Sequence, residues 1–523
     1  MRQYQAMAKT ASWTMVSRVL GLFRDQLIAA IFGASAIGSA FLLAFQIPNL
    51  FRRLLGEGAL TAAIVPVLAA QAERDGPAAA FGFLNHVVRR ILPMMLGLTM
   101  LGVAGALGWG ILSPQDGSAA LLTALCMPYM PLICLAALFT AAVNLRGRFG
   151  LAEIAAAGLN VCMIIALGVG GEHLAANDLQ KAVWLCGGAL VGGGLQLFIP
   201  LWGLRQEGWR PGLVRSDDAA WKTLRLAFLP AALGAGVQQV NFLVSRFLAY
   251  DVSDAGLMYY HLANRIVELP IGLFAASISV VIFPAMATAF SARDFPALGR
   301  HYGRGMRLVL AINVGAAFGL AALAEPIVRL LFEYGRFDQA NCRSTSQLLV
   351  LFAVAMPFYA MIGILTRALN VVGRTRATFI AALHALALNV GGSLVAIGMG
   401  LGIEGLALAN VLATFWQYLV LRHLFRRYAP EFRAESLLKP ACQVCLGALG
   451  LAVIAFQGYA FLHQVLAGHL GEKLNLLVSI GAAGLVATTL YGFALDRLGY
   501  PERDLLRGFA NKVLRRFGVQ LKV

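Results

Sequence analysis

Eight arginines lie inside long apolar segments of this chain, and their chemistry is its most informative feature. They are Arg18, Arg24, Arg52, Arg53, Arg225, Arg246, Arg265 and Arg367. An arginine at the centre of a bilayer costs about 2.5–3.5 kcal/mol on insertion scales, so several of them need a wet cavity or an anion. A planar guanidinium can pair with two phosphate oxygens at once, which lysine cannot do. The pattern therefore predicts a cationic chamber for a large anion, most simply a phosphate or diphosphate.

Five of these arginines are predicted to bind the anion. They are Arg18, Arg24, Arg52, Arg53 and Arg265. Arg24 lies roughly 13 residues into the first apolar segment, which places it near the middle of a membrane at about 1.5 Å of helix per residue. Arg225 lies at the end of its segment and is expected to extend to the lipid headgroups. The same interpretation stays open for Arg246 and Arg367.

Few acids lie in the same segments, so the predicted chamber keeps a net positive charge. Asp25, Glu57 and Glu268 are the carboxylates that we expect to hold some of the arginines in place. Glu268 follows Arg265 by three residues, a spacing that brings two side chains together on one helix face. A purely structural set of ion pairs is the alternative interpretation.

The sequence offers little for catalysis. Chemistry on lipid diphosphates needs a metal site or a nucleophile paired with a base, and none of the eight histidines joins a carboxylate cluster with ligand spacing. Cys442 and Cys445 form a C-x2-C pair without a nearby histidine or second pair, so they are interpreted as small apolar side chains. A Walker-type G-x4-G-K-[ST] motif is missing, which argues against ATP hydrolysis. We therefore predict a transporter with no catalytic residue, cofactor or metal.

The composition identifies the elements that must position these arginines. The chain has 523 residues, of which 59% are hydrophobic and 13% charged, and its mean hydropathy is +0.74. Soluble proteins are nearer half apolar and a quarter charged. Apolar runs of about 20 residues recur throughout, and they are continuous rather than alternating, unlike the strands of a β-barrel.

We therefore predict an all-α fold, a polytopic membrane protein with 14 transmembrane helices. Their expected limits are 11–33, 36–68, 89–112, 119–143, 153–172, 182–203, 222–249, 254–290, 305–323, 345–371, 377–400, 403–425, 437–461 and 474–497. The second and eighth segments are too long for one straight crossing. Pro48 and Pro270 are the predicted hinges, because proline removes an amide donor from a helix.

The net charge of +17 arises from 42 Lys and Arg against 25 Asp and Glu. With both termini in the cytoplasm, the cytoplasmic loops and tails hold nearly all basic residues outside the predicted helices, as the positive-inside rule requires. The excess therefore sets orientation and attracts anionic membrane lipids; it does not predict a nucleic-acid partner. The first segment lacks a cleavage site and is interpreted as a retained helix.

Two parts of the chain resemble each other. An offset of 218 residues aligns Gly38 with Gly256 and Pro66 with Pro284, and the apolar pattern between these residues also matches. The alternative is that Pro and Gly recur by chance in any long helical chain.

The repeat predicts the domain organisation. Residues 1–215 and 216–430 form two parallel six-helix halves around a central cationic cavity, and 431–523 add two helices and a basic cytoplasmic tail. Transporters with such repeats bind their substrate at the repeat interface and alternate its access to the two sides of the membrane.

Several motifs resemble the MurJ (MviN) family of lipid II flippases. They are Ser17-Arg18-Val19-Leu20-Gly21, Arg24-Asp25 and Phe32-Gly33-Ala34 in the first segment; Pro48-Asn49-Leu50-x-Arg52-Arg53, Glu57-Gly58-Ala59 and Val65-Pro66 in the second; and Tyr259-Tyr260, Arg265, Glu268 and Pro270 in the eighth. The resemblance covers most of the chain, including the number of apolar segments.

The resemblance implies a flippase of the multidrug/oligosaccharidyl-lipid/polysaccharide exporter superfamily, in the bacterial inner membrane. Its substrate would be the undecaprenyl-diphosphate-linked disaccharide pentapeptide of peptidoglycan synthesis, moved from the cytoplasmic to the periplasmic leaflet. Arg18, Arg24, Arg52 and Arg265 match the cavity arginines of the family, and Asn49 within the motif is expected to support them. The last two helices would line a groove for the prenyl tail, and cell-wall synthesis enzymes are the implied protein partners.

Two departures from the family bear on the site and on coupling. Some members carry a carboxylate where this chain has Ser39, which we also expect to support the site. Some bind sodium through an acid of the seventh or eleventh segment, whereas 222–249 and 377–400 contain no Asp or Glu. The polar side chains considered there are Ser245, Asn389 and Ser393. Sodium coupling is therefore not expected, and the membrane potential, worth about 2.3 kcal/mol per charge per 100 mV, is the predicted energy source.

Other functions remain as alternatives. An exporter of another polyprenyl-diphosphate-linked glycan would need the same arginines and a different sugar pocket. A membrane enzyme acting on lipid diphosphates belongs to another class and would need the catalytic groups considered above. A cationic drug antiporter should have an acidic cavity, and a passive scaffold would not explain arginines inside the membrane.

Overall fold

The computed structural model describes residues 2–54, 60–212, 218–272, 276–432 and 436–504. Within these ranges every regular element is helical, and the sole β-type pairing is an isolated bridge between Ala467 and Leu470. The predicted all-α class is therefore confirmed.

The chain forms two compact units. Unit 1 comprises Met1–Met258 and Tyr334–Phe337, and unit 2 comprises Tyr259–Glu333 and Asp338–Val523. The division into two repeats and an appended helix pair, expected from the sequence, stays a prediction.

Unit 1 contains the first ten helices and the start of the eleventh. They are α1 (Arg2–Phe32), α2 (Ala36–Phe51), α3 (Leu60–Asp75), α4 (Pro77–Leu112), α5 (Gly117–Cys126), α6 (Tyr129–Leu145), α7 (Leu151–Ile165), α8 (Glu172–Leu174), α9 (Asp178–Gln206), α10 (Asp218–Val252) and α11 (Gly256–Pro270). Between α7 and α8 a π-helical stretch, Ala166–Gly171, keeps the chain helical.

Unit 2 contains the rest of α11 and the remaining helices. They are α12 (Ala276–Ser291), α13 (Phe295–Ala322), α14 (Ala324–Phe332), α15 (Gln339–Val371), α16 (Thr375–Gly398), α17 (Gly402–Tyr428), α18 (Leu438–Val465) and α19 (Glu472–Arg497).

Ten helical stretches of the described residues are long and apolar enough to cross a bilayer. They correspond to the third to sixth and the ninth to fourteenth predicted segments, whereas the described parts of the first, second, seventh and eighth do not reach that standard. Seven of the eight arginines named above lie in these four segments, and Arg367 is the exception. The structure thus supports a multi-pass membrane protein, and the total of 14 stays a prediction.

The two long predicted segments are interrupted at similar places. The helix α2 continues through Pro48 and ends at Phe51, where residues 52–54 form a π-helical turn. The helix α11 ends at Pro270, and a π-helical turn again follows, at residues 271–272. Such turns are frequent at functional sites because they break the regular hydrogen-bond ladder. The role of Pro48 and Pro270 as hinges stays a prediction.

Close packing of α7 against α9 places one part of the site. A Cβ atom added to Gly192 would lie 2.9 Å from Cα of Leu159, and one added to Gly188 would lie 2.5 Å from Cβ of Ala166. Glycine lets two helix backbones approach this closely within a membrane. The α7 helix also packs on α1, so its polar Asn160 faces the first helix.

Unit 2 is built around a tightly packed aromatic side chain. The Tyr491 ring on α19 lies against α13 and α18, where Cβ atoms added to Gly315 and Gly447 would approach it to 2.8 and 3.2 Å. Its hydroxyl donates to the carbonyl of Ala311 at 2.6 Å. These contacts fix the appended helix α19 to the helices that precede it in the unit.

Candidate functional site

One part of the site surrounds Arg24 in the second half of α1. Nε and Nη2 of Arg24 both donate to Oδ1 of the neighbouring Asp25, at 3.1 and 2.6 Å. The Arg24 side chain is 13% exposed and that of Asp25 is 1% exposed. Because the pair is so well shielded from water, its attraction is much stronger than that of a surface ion pair.

Asn160 completes the setting of Arg24 from α7. Its amide oxygen accepts a hydrogen bond from Nη1 of Arg24 at 3.0 Å. Its amide nitrogen lies 3.2 Å from the carbonyl oxygens of Ser17 and Ala156, to which it donates. Asn160 therefore links a guanidinium to the backbones of two helices, and this fixes the orientation of its oxygen.

Softer groups surround the remaining faces of the Arg24 guanidinium. The sulfur of Met163 lies 3.8 Å from Nη1, and the Phe45 ring lies 5.9 Å from the guanidinium carbon. Thioether sulfur is a weak acceptor, and an aromatic face attracts a cation. These contacts leave Arg24 able to form stronger hydrogen bonds with an anion.

Arg18 lies six residues before Arg24 on the same helix. Its side chain is partly exposed, and none of the described residues forms an ion pair or hydrogen bond with it. The structure therefore does not bring Arg18 into the cluster formed by Arg24, Asp25 and Asn160.

Arg52 and Asn49 lie where α2 ends. Nε of Arg52 donates to the amide oxygen of Asn49 at 3.2 Å, and the amide nitrogen of Asn49 donates to the carbonyl of Phe45 at 2.8 Å. Asn49 thus holds Arg52 with its oxygen and the preceding helical turn with its nitrogen, and its supporting role in substrate binding stays a prediction.

Arg53 is part of an aromatic stack. Its guanidinium carbon lies 4.6 Å from the centre of the Phe242 ring on α10, and that of Arg246 lies 3.9 Å from the same ring. Arg246 is only 3% exposed, so its burial disfavours the headgroup interpretation that the sequence left open. Arg225 is exposed beside Trp221, with 5.9 Å between the guanidinium carbon and the ring centre.

Ser39 is fully buried in unit 1. Its hydroxyl donates to the carbonyl of Asp254 at 2.6 Å, and a Cβ atom added to the preceding Gly38 would lie 2.8 Å from Cε of Met258. Ser39 therefore fastens α2 to the chain that leads into α11.

Arg265, the proposed site arginine on α11, lies in unit 2. Nη1 of Arg265 lies 3.9 Å from a carboxylate oxygen of Glu268 on the next helical turn. The amide nitrogen of Asn264 donates to the other oxygen of that carboxylate at 3.0 Å. Arg265 is 26% and Glu268 is 41% exposed, so this pair is more accessible than the one in α1.

The structure thus brings several predicted residues together within each unit, namely Arg24 with Asp25, Arg52 with Asn49, and Arg265 with Glu268. The predicted Glu57 lies outside the described residues. Asn160 was missed in the sequence, although it is the only amide in an otherwise apolar segment, and that signal could have identified it. Over the described ranges, no group of three His, Cys, Asp or Glu side chains could hold a metal ion.

Comparisons with known proteins agree with the motifs. The family model described as lipid II flippase MurJ matches residues 28–475. A probable lipid II flippase MurJ of Bdellovibrio bacteriovorus is 30% identical over 500 residues, which are 92% of each chain. The protein described by the same name in Haemophilus influenzae is 28% identical, over 94% of this chain and 99% of its own.

Solved structures share the fold. A lipid II flippase MurJ in an inward closed conformation has a TM-score of 0.76 and 22% identity, over 94% of this chain and 99% of that chain. An inward-facing multidrug resistance MATE family transporter of the MOP superfamily has a TM-score of 0.66 and 14% identity, over 82% and 98%.

These matches confirm the predicted family and the assignment to transporters rather than enzymes. Together with the ten apolar helices, they identify a multi-pass protein of the inner membrane. The length of the family match and the identity over nearly the whole chain lead to one conclusion: this chain belongs to the MurJ family of lipid II flippases.

Proposed function

We propose that this protein moves the undecaprenyl-diphosphate-linked disaccharide pentapeptide from the cytoplasmic to the outer leaflet of the inner membrane by alternating access. Buried arginines bind its diphosphate, and the sugar, peptide and prenyl parts are carried with it. The direction of transport rests on the basic residues of the predicted cytoplasmic loops, which support an orientation with both termini inside.

The observation that carries the proposal is the setting of Arg24. Asp25 and Asn160 accept three of its hydrogen bonds, and a guanidinium has five N–H donors. The orientation of the fork is therefore fixed before a ligand arrives, while donors remain for phosphate oxygens. Pre-organisation of this kind lowers the entropic cost of binding.

The other arginines add positive charge. Arg52 has a hydrogen bond to Asn49, Arg53 lies against Phe242, and Arg18 is partly exposed. With Arg24 and Arg265 these are five arginines, whereas Asp25, Glu57 and Glu268 are the acids expected to accompany them, so the proposed site keeps a net positive charge. Phosphate oxygens form charge-assisted hydrogen bonds with guanidinium groups, often two at a time.

Alanine substitutions test the proposed site. Arg24→Ala, Arg52→Ala and Arg265→Ala should each abolish growth when the variant is the sole copy in the cell, while the protein still reaches the membrane. Arg225→Ala is the matched control, because that side chain is exposed at a helix end, and it should support growth. Normal growth of all three site variants would contradict the proposal.

The nature of the glycan requires a separate measurement. Depletion of the protein should cause the peptidoglycan precursor to accumulate in the cytoplasmic leaflet. Accumulation of a different polyprenyl-diphosphate glycan would instead support an exporter of that lipid.

We further propose that the membrane potential, without sodium, resets the empty transporter. A binding site with net positive charge experiences about 2.3 kcal/mol per charge per 100 mV across the membrane. Flipping in vesicles should therefore change when a potassium diffusion potential of either sign is imposed in sodium-free buffer. Flipping that depends on sodium and ignores the potential would overturn this mechanism.

A further inference from the structure

Unit 2 contains a pocket of about 460 Å³ that is separate in sequence from the arginines of α1 and α2. The end of α13, the helix α14, the start of α15 and the later part of α18 line it. Because α13, α15 and α18 are each able to cross a bilayer, the pocket lies near one end of the spanning helices, where lipid headgroups are found.

Two charged side chains of the pocket have no ionic partner of their own. Arg343 on α15 and Glu325 on α14 both line the pocket and are exposed. Neither forms an ion pair with any side chain in the described part of unit 2. The pocket therefore presents one cation and one anion that do not neutralise each other by direct contact.

The other charges beside the pocket are already satisfied. Arg329 donates to Glu333 at 3.0 Å and to Glu472 at 2.6 Å, and Nζ of Lys473 donates to the carbonyl oxygens of Arg329 and Glu333 at 2.9 and 2.8 Å. Burial lowers the pKa of Arg329, but its hydrogen bond and charge interaction with Glu333 and the charge of Glu472 raise the pKa above its ordinary value. Because these groups pair with one another, the charge available to a ligand comes from Arg343 and Glu325.

The rest of the lining combines the polar side chains of Ser346 and Gln347 with apolar side chains, two of which are exposed. Phe456 on α18 is 55% exposed and Val350 on α15 is 37% exposed, and both line the pocket beside Tyr459. Exposed apolar side chains on helices of this length are the surface that acyl chains cover in a membrane. A ligand of this pocket therefore needs a polar head with both charges and an apolar tail.

We propose that this pocket binds the headgroup of a zwitterionic phospholipid with a primary ammonium, such as phosphatidylethanolamine. The phosphate pairs with Arg343, the ammonium pairs with Glu325, and an acyl chain lies along Phe456 and Val350. An anionic lipid lacks the ammonium and would bring its charge close to Glu325, and free phosphate lacks the tail. The pocket would bind a bulk membrane lipid, and this proposal does not depend on the diphosphate site proposed above.

Native mass spectrometry of the full-length protein can test this assignment. The protein in detergent is titrated separately with phosphatidylethanolamine, phosphatidylglycerol of the same acyl chains, and inorganic phosphate. We expect one tightly held phosphatidylethanolamine, weaker phosphatidylglycerol and no retained phosphate. Equal retention of the two lipids, or retention of inorganic phosphate as strong as that of the lipid, would overturn the proposal.

Variants connect the bound lipid to this pocket. Arg343→Gln should weaken phosphatidylethanolamine binding at least about tenfold, the loss of one charge-assisted hydrogen bond. Glu325→Gln should remove the preference between the two lipids. Arg376→Gln is the control, since Arg376 is exposed on another helix, and it should bind like the unchanged protein.

A further variant keeps the test independent of charge and of transport. Val350→Trp should fill the pocket and prevent the lipid adduct. Arg343→Gln and Val350→Trp should both still flip the lipid-linked precursor in vesicles, which shows that they are folded. Undiminished phosphatidylethanolamine binding by these two variants would contradict the assigned pocket and leave the proposed flippase function unaffected.

Discussion

Asn160 on α7 accepts a hydrogen bond from Nη1 of Arg24 on α1 at 3.0 Å, although 136 residues separate them in sequence. The same amide donates to the carbonyl of Ser17, the residue directly before the proposed Arg18. A neutral amide can thus orient the arginine without cancelling its charge. Asp25 supplies the opposite charge, so two acceptors share the positioning of one guanidinium.

The first prediction concerns this amide. Asn160→Ala should reduce flipping at least about tenfold, because Arg24 loses one of its positioning hydrogen bonds and an interaction with a charged group is worth about 1.5–3 kcal/mol. The measurement is the rate of precursor flipping in vesicles at matched protein content. Asn313→Ala is the control: Asn313 is also buried but donates only to Val309 of its own helix. Equal loss of flipping in the two variants would indicate a general packing defect.

The second prediction concerns the replacement of two arginines by lysine. Arg24 is only 13% exposed and donates to Asp25 through two different nitrogens and to Asn160 through a third, and Nε of Arg52 donates to Asn49 at the end of α2. Lysine keeps the charge but loses the planar fork. Arg24→Lys should therefore abolish flipping, and Arg52→Lys should retain part of it. The reverse order in a vesicle assay would show that hydrogen-bond geometry does not decide the role of these residues.

The third prediction concerns the ion pair itself. Asp25→Leu should destabilise the protein by up to about 3–5 kcal/mol, because it leaves the shielded charge of Arg24 without its partner. Adding Arg24→Leu to that variant should restore most of the thermal stability but not the flipping, since both charges are then removed. Thermal unfolding in detergent measures the first effect and a vesicle assay the second. A double variant less stable than Asp25→Leu alone would contradict the expected coupling.

The sequence predicted the later apolar helices well. Each of the six predicted segments from 305–323 to 474–497 has a matching helix, often longer at its ends. Periodicity and length suffice there because every position faces either lipid or another helix. The predicted segment 305–323 begins too late, because α13 already starts at Phe295. A helix can continue into the polar surface beyond the apolar run.

The segments that bear the proposed site contain arginine and proline, which lower the hydropathy and interrupt the hydrogen-bond ladder. Segment 36–68 was expected to bend or to extend beyond the bilayer, and its described residues form α2, a π-helical turn at 52–54 and the start of α3 from Leu60. A tertiary contact such as that of Arg246 with Phe242 is invisible in the sequence, where the position in the segment left a headgroup location open for Arg246. Residue type predicted which chemistry is present, and packing decided which partners each arginine has.

A last prediction concerns the short segment Tyr334–Phe337, which packs on the end of α1 in unit 1. The backbone nitrogen of Arg336 donates to the carbonyl of Ala30 at 2.8 Å, and Nη1 of Arg336 donates to both carboxylate oxygens of Asp178, at 2.9 and 2.7 Å. The backbone can come so close because Gly335 has φ of +56° and no side chain. A Cβ atom there would lie 2.4 Å from the carbonyl oxygen of Ala30, a contact that only a shift of the segment can relieve.

Gly335→Ala should therefore displace the segment 334–337 from the end of α1. Gly373→Ala is the control that distinguishes the effect of the steric clash from the effect of backbone strain. Gly373 has φ of +72°, but an added Cβ would have nothing within 4 Å. Both variants bear the cost of a left-handed alanine, about 1–2 kcal/mol, and Gly335→Ala additionally loses the hydrogen bonds of Arg336. Hydrogen exchange of residues 334–337 and of the end of α1 should accelerate in Gly335→Ala and stay unchanged in Gly373→Ala. Unchanged protection in Gly335→Ala would contradict this prediction. It would mean that the segment can accommodate the added methyl group without leaving α1, so the close approach to Ala30 is not what keeps the segment in place.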